Sequence, residues 1–175
     1  AVTGVAKITV HGVADCPGVA ASILEPLAND QVSVDVIVQN TSVDGETDFT
    51  FTVEQTDLLH ASELVERVAR KLGSRGVTSS ANLAKVSIVG TGMQDAPGYA
   101  SRMFRALASE GINIAMVATS EIRITCLVAE TRIGEAARAL HAAFELEKPV
   151  SGTGSSRAIS PEGTLAPKKR RSSRK

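Results

Sequence analysis

Apolar and polar positions recur in the same order in two successive stretches of the chain. When Lys7 is laid on Lys85, residues 6–40 run parallel to residues 84–120, with similar residues at matched places. Each stretch opens with a β-branched run that ends in glycine, which is typical of a strand. Apolar residues at helical spacing follow, and then two runs with partial alternation. We infer an internal duplication of one structural unit.

The predicted elements of the two copies correspond one to one. In the first copy they are a strand at Ile8–Val10, a helix with Val19, Ile23, Leu24 and Leu27 on one face, strands at Val32–Val38 and Thr47–Val53, and a helix at Asp57–Leu72. In the second copy they are a strand at Val86–Val89, a helix with Tyr99, Met103, Phe104 and Leu107 on one face, strands at Ile112–Val117 and Ile122–Val128, and a helix at Gly134–Phe144. Candidate fourth strands lie at Val77–Leu83 and around Val150.

This order predicts an α+β fold of two βαββαβ units in tandem. Each would have an antiparallel sheet with both helices on one face, the ferredoxin-like plan. The predicted units span residues 1–82 and 83–152, and residues 153–175 form a basic tail that we expect to be disordered because few apolar residues are present to bury. A small sheet with one bare face predicts that two units pair, within the chain or in a homodimer.

Composition and charge narrow the classes of function. The chain has no formal net charge, but six of its 19 basic residues lie in 168–175, so the body is mildly acidic and we expect no nucleic-acid partner. Only one Tyr, four Phe and no Trp are present, so stacking platforms for bases are scarce. Two cysteines, no signal segment and no run long enough to span a bilayer predict a cytoplasmic protein without membrane contact.

No set of residues in the sequence is typical of a catalytic or metal site. The three histidines lack a Cys or carboxylate at metal-ligand spacing, and Cys16 and Cys126 are interpreted as small side chains, not as nucleophiles. The glycine-rich strings lack the lysine of a phosphate-binding loop. We therefore predict no catalytic residue, no metal and no cofactor.

A polar loop at the first strand-helix junction is repeated in both copies, as Asp15-Cys16-Pro17-Gly18 and Asp95-Ala96-Pro97-Gly98. The proline is expected in the first helical turn. Free N–H groups at the helix start suit an α-carboxylate, and the Asp side chain suits an ammonium group. The alternative is that each Asp simply caps its helix, and the loop alone leaves both interpretations open.

Several strings resemble the tandem ACT regulatory region of aspartokinases. They are GVADCPGVAASILEPLANDQVSVDVIVQN, DGETDFTFTV, KVSIVGTGMQDAPGYASRMFRALASEGINI, ATSEIRI and AARALHAAFEL, and together they cover Val2 to about Leu146. The resemblance implies a regulatory (β) subunit or a C-terminal regulatory region that mediates feedback inhibition by threonine and/or lysine. The strings of the kinase domain are absent, so we expect the chain itself not to be an enzyme.

The resemblance also implies where an effector amino acid binds. In the family this is where ACT units pair, between the strand-helix loop of one unit and the strand end of its partner. Carried over by position, the loop residues are Asp15, Pro17, Gly18, Val19 and Ala20, with Met93, Asp95, Gly98, Tyr99 and Ala100 in the second unit. The strand residues are Asp35, Gln39, Asn40 and Thr41, with Asn113, Ile114, Thr119, Ser120 and Glu121 in the second unit. Ala115 stands where relatives carry an acid, which weakens a cation-binding role there.

The expected partners are a second copy of the chain, a catalytic aspartokinase subunit and a small-molecule amino acid. Two alternatives remain at this point. One is a stand-alone ACT-type regulator of another amino-acid enzyme. The other is a small ferredoxin-like enzyme that uses Cys16, which has no base nearby in sequence.

Overall fold

The computed structural model describes residues 1–40, 45–90 and 98–145, which form six strands and four helices. The strands are β1 (Val2–Ala14), β2 (Ile37–Gln39), β3 (Glu46–Glu54), β4 (Gly76–Val89), β5 (Met116–Ser120) and β6 (Arg123–Ala129). The helices are α1 (Val19–Asn29), α2 (Leu58–Lys71), α3 (Tyr99–Ser109) and α4 (Ile133–Ala143), with 3-10 turns at Gln55–Asp57 and Glu130–Arg132.

All six strands belong to one antiparallel sheet in the order β2-β3-β1-β4-β6-β5. β4 serves both units: its first half pairs with β1, and its second half pairs with β6 from Leu83 to Val89. β1 also reaches the second unit, because Val2 lies opposite Lys85. The candidate strand Val77–Leu83 is therefore present, but it continues without a break into the strand predicted at Val86–Val89.

Each unit has its own helix-facing core. In the first unit Ile8 and Val10 of β1 and Phe51 of β3 are buried beneath α1 and α2, because alternate residues of a strand face the same side. In the second unit Val86 and Ile88 of β4 lie with residues of β6 beneath α3 and α4. The apolar helix faces predicted from sequence thus cover the sheet, as a ferredoxin-like unit requires.

A third, smaller cluster joins the two units on the opposite face of the sheet. It consists of Val5 of β1, Leu83 of β4 and Leu127 of β6, with Met116 packed against it. Val5 and Leu83 lie directly opposite each other, so their side chains share a face. This cluster lies at the boundary predicted between residues 82 and 83. β4 crosses that boundary as one continuous strand, and the division of the chain into residues 1–82 and 83–152 stays a prediction.

The bounds of several elements differ from their predictions. The helix of the first loop begins at Val19, so Pro17 precedes it and does not lie in its first turn. β2 is only Ile37–Gln39, because Asp35 and Val36 bond to Thr52 outside a regular strand ladder. β5 begins at Met116 and not at Ile112, which packs into the second core. The candidate strand around Val150 lies outside the described residues.

Replacing Leu127 tests whether the cluster between the units contributes to stability. Leu127 is fully buried, so Leu127→Ala is expected to lower the free energy of unfolding by about 2–5 kcal/mol, through lost burial and a residual cavity. Leu59→Ala is the matched control, since Leu59 is 75% exposed and should change stability by less than about 0.5 kcal/mol. Urea denaturation measures both values. Equal effects would contradict the bridging role.

Candidate functional site

The polar loop of the first unit lies beside the end of the outer strand β2. Ala14 of β1 pairs with Glu46 of β3, and the Asp15 N–H donates to the Gly45 carbonyl over 2.8 Å. On the other side of β3, Gln39 pairs with Phe49. The sheet therefore brings Asp15, at the start of the loop, and Gln39, at the end of β2, to the same end of the first unit.

Both loop helices start at a glycine in the left-handed region. Gly18 has φ 94° and Gly98 has φ 105°, and neither helix has a side chain that caps its N-terminus. A left-handed backbone costs glycine little, so the glycines set the entry into the helices. For α1 this overturns the alternative in which Asp15 caps the helix. First-turn N–H groups have no acceptor within a helix, so this end favours an anionic group.

A hydrogen-bond network that the sequence did not reveal holds the end of β1 in front of the loop. Asp48 of β3 accepts the Gly12 N–H over 2.9 Å, and its second oxygen lies 3.0 Å from His11 Nδ1. His11 Nε2 lies 2.8 Å from the Thr78 hydroxyl of β4. The bond from Gly12, assisted by His11, lowers the pKa of the Asp48 carboxyl below its usual 3.8. The network connects three strands where the register of β1 shifts, between Val10 and Val13.

In the second unit, too, the strand before the loop ends next to the turn of the outer hairpin, but other contacts hold it there. The Gly90 N–H donates to the Ile122 carbonyl over 3.0 Å, which brings the end of β4 against the β5-β6 turn. Tyr99, the first residue of α3, stacks on Phe144 just after α4, with ring centroids 5.9 Å apart and planes 5° apart. Arg102 lies over the same Phe144 ring, 5.1 Å from its centroid. An aromatic stack therefore fixes the start of α3.

Asp35 lies away from the loop, in a cleft between the two units. It forms an ion pair with Lys85 of β4, inside a cleft of about 790 Å³ that Glu54 and Glu130 also line. Asp35 is 63% exposed at its side chain, so the pair contributes at most about 1 kcal/mol. Four residues of extended chain, roughly 13 Å, separate Asp35 from Gln39. Asp35 and Gln39 thus occupy different surroundings.

The predicted effector residues divide into three groups and a remainder. At the loop end of the first unit are Asp15, Pro17, Gly18, Val19, Ala20, Gln39 and Asn40. At the loop end of the second unit are Gly98, Tyr99, Ala100, Thr119, Ser120 and Glu121. Just before the first residues of the outer strands β2 and β5, away from the two loop ends, are Asp35, Asn113 and Ile114. Thr41, Met93 and Asp95 lie outside the described residues.

The two loop ends lie at opposite ends of the sheet. His11 near the first loop pairs with Gly76, the first residue of β4, whereas Val89 before the second loop is the last residue of β4. At about 3.3 Å per residue, the length of β4 separates them by roughly 40 Å. Asn113 and Ile114 precede β5 near the middle of the sheet, more than about 20 Å from the first loop. Within one copy of the chain, the first loop and Asn113 and Ile114 of the second unit are therefore too far apart to contact the same small ligand.

The described residues meet the requirements of neither a metal cluster nor a membrane-spanning helix. Within it, no three His, Cys, Asp or Glu side chains are grouped so that they could hold a metal ion. No helix in residues 1–40, 45–90 or 98–145 has both the length and the apolar character needed to span a bilayer.

The chain matches the family model described as "ACT domain" twice, over residues 8–68 and 86–144. It is 51% identical over 144 residues to the aspartokinase of Pseudomonas aeruginosa, covering 82% of this chain and 35% of that protein. The aspartokinase of Corynebacterium glutamicum is 39% identical over 143 residues, which cover 81% of this chain and 34% of that protein. The chain thus spans about a third of the length of these relatives.

Two solved structures resemble this one over nearly their whole length. The crystal structure of aspartokinase alpha and beta subunits has a TM-score of 0.73 and 42% identity, covering 83% of this chain and 99% of that chain. The regulatory subunit of aspartate kinase from Thermus flavus has a TM-score of 0.73 and 38% identity, covering 82% of this chain and 99% of that chain.

The pKa of Asp48 tests the network in front of the first loop. Because Gly12 and His11 stabilise the carboxylate in the folded chain, Asp48 adds stability above its unfolded pKa, and this stability is lost as the pH falls through the lowered folded pKa. The stability deficit of Asp48→Asn should therefore be full at neutral pH, start to shrink as the pH approaches the unfolded pKa of 3.8, and vanish only below the lowered folded pKa. Urea denaturation across a pH series measures it. In His11→Ala, NMR titration should still give a pKa below 3.8, because the largest cause, the Gly12 bond, remains. A value at 3.8 or above in the unaltered chain would contradict the network.

Proposed function

Because the chain belongs to the ACT domain family and corresponds to the regulatory region of aspartokinases, we propose that it binds an effector amino acid and thereby regulates an aspartokinase catalytic part. The observation that carries the proposal is the repeated loop end. In each unit a helix without a side-chain cap begins at a left-handed glycine, beside the end of an outer strand. The match covers about 35% of the length of the Pseudomonas aeruginosa aspartokinase and 99% of the Thermus flavus regulatory subunit.

The loop end of the first unit has the groups that an amino acid requires. First-turn N–H groups of α1 receive the α-carboxylate, since they have no acceptor inside the helix. The exposed carboxylate of Asp15 holds the ammonium group. Gln39, exposed at the end of β2, offers a donor and an acceptor to a polar effector side chain. Threonine and lysine both carry such a side chain, and they are the effectors that we propose.

A second copy of the chain completes the site. Within one copy the first loop lies more than about 20 Å from Asn113 and Ile114, so residues from both units meet around one ligand only across a subunit contact. We therefore propose a homodimer in which the loop end of one copy meets the strand ends of the other. A ligand held between two copies favours the dimer state that binds it, and this preference shifts the catalytic partner between active and inactive populations.

Calorimetry of the purified chain with each of the twenty amino acids tests the binding. We expect a heat of binding for threonine and, more weakly, for lysine at millimolar concentration. We expect no heat of binding for ATP. Absence of heat for every amino acid made from aspartate would contradict the proposal. Addition of the chain to a catalytic aspartokinase subunit, with and without the effector, then tests whether binding changes kinase activity.

Two carboxylates at opposite ends of α1 give a matched pair for locating the site. Asp15→Asn removes the proposed ammonium partner and should weaken effector binding about 10- to 150-fold, the range for losing a charged hydrogen bond. Asp30→Asn is the control, because Asp30 follows the other end of α1, where it pairs with His60. Calorimetric titration compares the two. Equal affinities would contradict the placement of the site.

The proposed subunit contact has its own measurement. Light scattering should report a dimer mass for the chain, and the effector should raise the dimer fraction at low protein concentration, because the ligand contacts both copies. A monomer at every concentration, with or without threonine, would contradict a site shared between two copies.

A further inference from the structure

β1 and β4 each contain a bulge at the junction between the two units. Three pairs of opposite residues define the register there: Val2 with Lys85, Val5 with Leu83, and Lys7 with Ser80. Before Val5, β1 has one residue more than β4 between these pairs, and after Val5, β4 has one residue more than β1. An extra residue in one strand of a pair makes a β-bulge. The two bulges therefore lie on either side of the Val5–Leu83 pair, and their offsets cancel.

Each bulge contains a residue in the left-handed region. Gly4 of β1 has φ 69° and Asn82 of β4 has φ 55°. Both stand three residues before the lysines that align between the two copies, Lys7 and Lys85. Glycine adopts this backbone conformation freely, and asparagine tolerates it better than most residues. The two bulges are thus equivalent features of the repeated unit.

A side chain from one unit holds the bulge of the strand that enters the other unit. The Gly4 N–H donates to the carboxylate of Glu130, the first residue of the 3-10 turn after β6, over 3.1 Å. The Asn82 N–H donates to the side-chain oxygen of Gln55, the first residue of the 3-10 turn after β3, over 2.9 Å. Gln55 Nε2 in turn donates to Asn82 Oδ1 over 3.1 Å. We call these two contacts, Glu130 with Gly4 and Gln55 with Asn82, the crossed clasps.

Each clasp is also tied to the loop helix of its own unit. In the 3-10 turn of the second unit, Arg132 Nη2 donates over 2.8 Å to the carbonyl of Glu110, the residue after α3. In the first turn of α2, His60 Nε2 lies 3.0 Å from the carboxylate of Asp30, the residue after α1. The contacts therefore run from each loop helix through a clasp to a strand of the other unit.

We propose that Gln55 and Glu130 are positioning residues that couple the two units, because each fixes the bulge of the strand that leads to the loop end of the other unit. The two bulges offset each other, so a shift of one puts the Val5–Leu83 pair out of register unless the other shifts too. The bulges are therefore held or released together. A displacement of either loop helix then reaches the strand that precedes the other loop.

Hydrogen exchange in the full chain, measured by NMR without ligand, tests the coupling. Glu130→Ala removes the acceptor of the Gly4 N–H, so exchange at Gly4 should speed up about tenfold, as expected for the loss of a charged hydrogen bond. Exchange at Asn82, in the other bulge, should speed up at least about threefold, because the two bulges are released together. The Asn82 amide is the decisive readout, since its own acceptor, Gln55, is unaltered.

Two further variants separate the coupling from a local or general effect. Glu130→Gln keeps an oxygen that accepts the Gly4 N–H, so both amides should exchange nearly as in the unaltered chain. Glu54→Ala removes a carboxylate that lines the same cleft as Glu130, and it should change neither amide. Faster exchange at Gly4 alone would overturn the proposal, and so would unchanged exchange at both amides. Neither result bears on the effector proposal, which calorimetry tests separately.

A milder variant keeps the proposal testable if Glu130→Ala folds poorly. Asn82→Gly retains a residue that adopts the left-handed region, and it loses only the bond from Gln55 Nε2. Exchange at Gly4, which lies in the other bulge, should then speed up at least about twofold, as expected for the loss of one neutral hydrogen bond. Exchange at Gly4 that stays at its unaltered rate would overturn the proposal.

Discussion

The antiparallel pairing of β1 with β4 is the contact on which the rest of the structure depends. It joins two repeated units into one six-stranded sheet, and Val5, Leu83 and Leu127 secure the junction on the face away from the helices. Because the two strands run in opposite directions, β1 and β4 end at opposite ends of the sheet. This geometry keeps two similar candidate ligand-binding ends apart within one chain. A shared site between them therefore requires a second copy.

Each candidate end combines a polar loop with support from the neighbouring strand or helix. In the first unit the Asp48 carboxylate binds Gly12 and His11, so a charged hydrogen-bond network holds the strand just before the loop. In the second unit the stack of Tyr99 on Phe144, with Arg102 above the ring, fixes the helix that follows the loop. The two copies of one ancestral plan thus stabilise equivalent loops with different chemistry. At both ends the element next to the loop is thus fixed to the sheet.

The sequence predicted the repeat and most of the elements, because strand alternation, helical periodicity and turn residues are local properties. It also predicted that the loops and outer strand ends carry the polar groups, and the structure brings Asp15 and Gln39 to one end of the first unit. Asp35 was expected, with Gln39, at a strand end that faces the loop of a paired unit, which stays a prediction; within one chain it forms an ion pair with Lys85 in the cleft between the units. A residue fifty positions away is invisible to any local pattern. The pairing of Tyr99 with Phe144 escaped prediction for the same reason.

What the sequence determined by itself is the family, the α+β plan of each unit and the residue types at the candidate site. These follow from periodicity and from strings of neighbouring residues. Tertiary structure alone decided that Val77–Leu83 and Val86–Val89 form one strand, that β1 serves both units, and that Pro17 precedes its helix. Strand partners and their register depend on hydrogen bonds between distant segments. For that reason the fold of each unit was visible in the sequence, but the way in which the two units share a sheet was not.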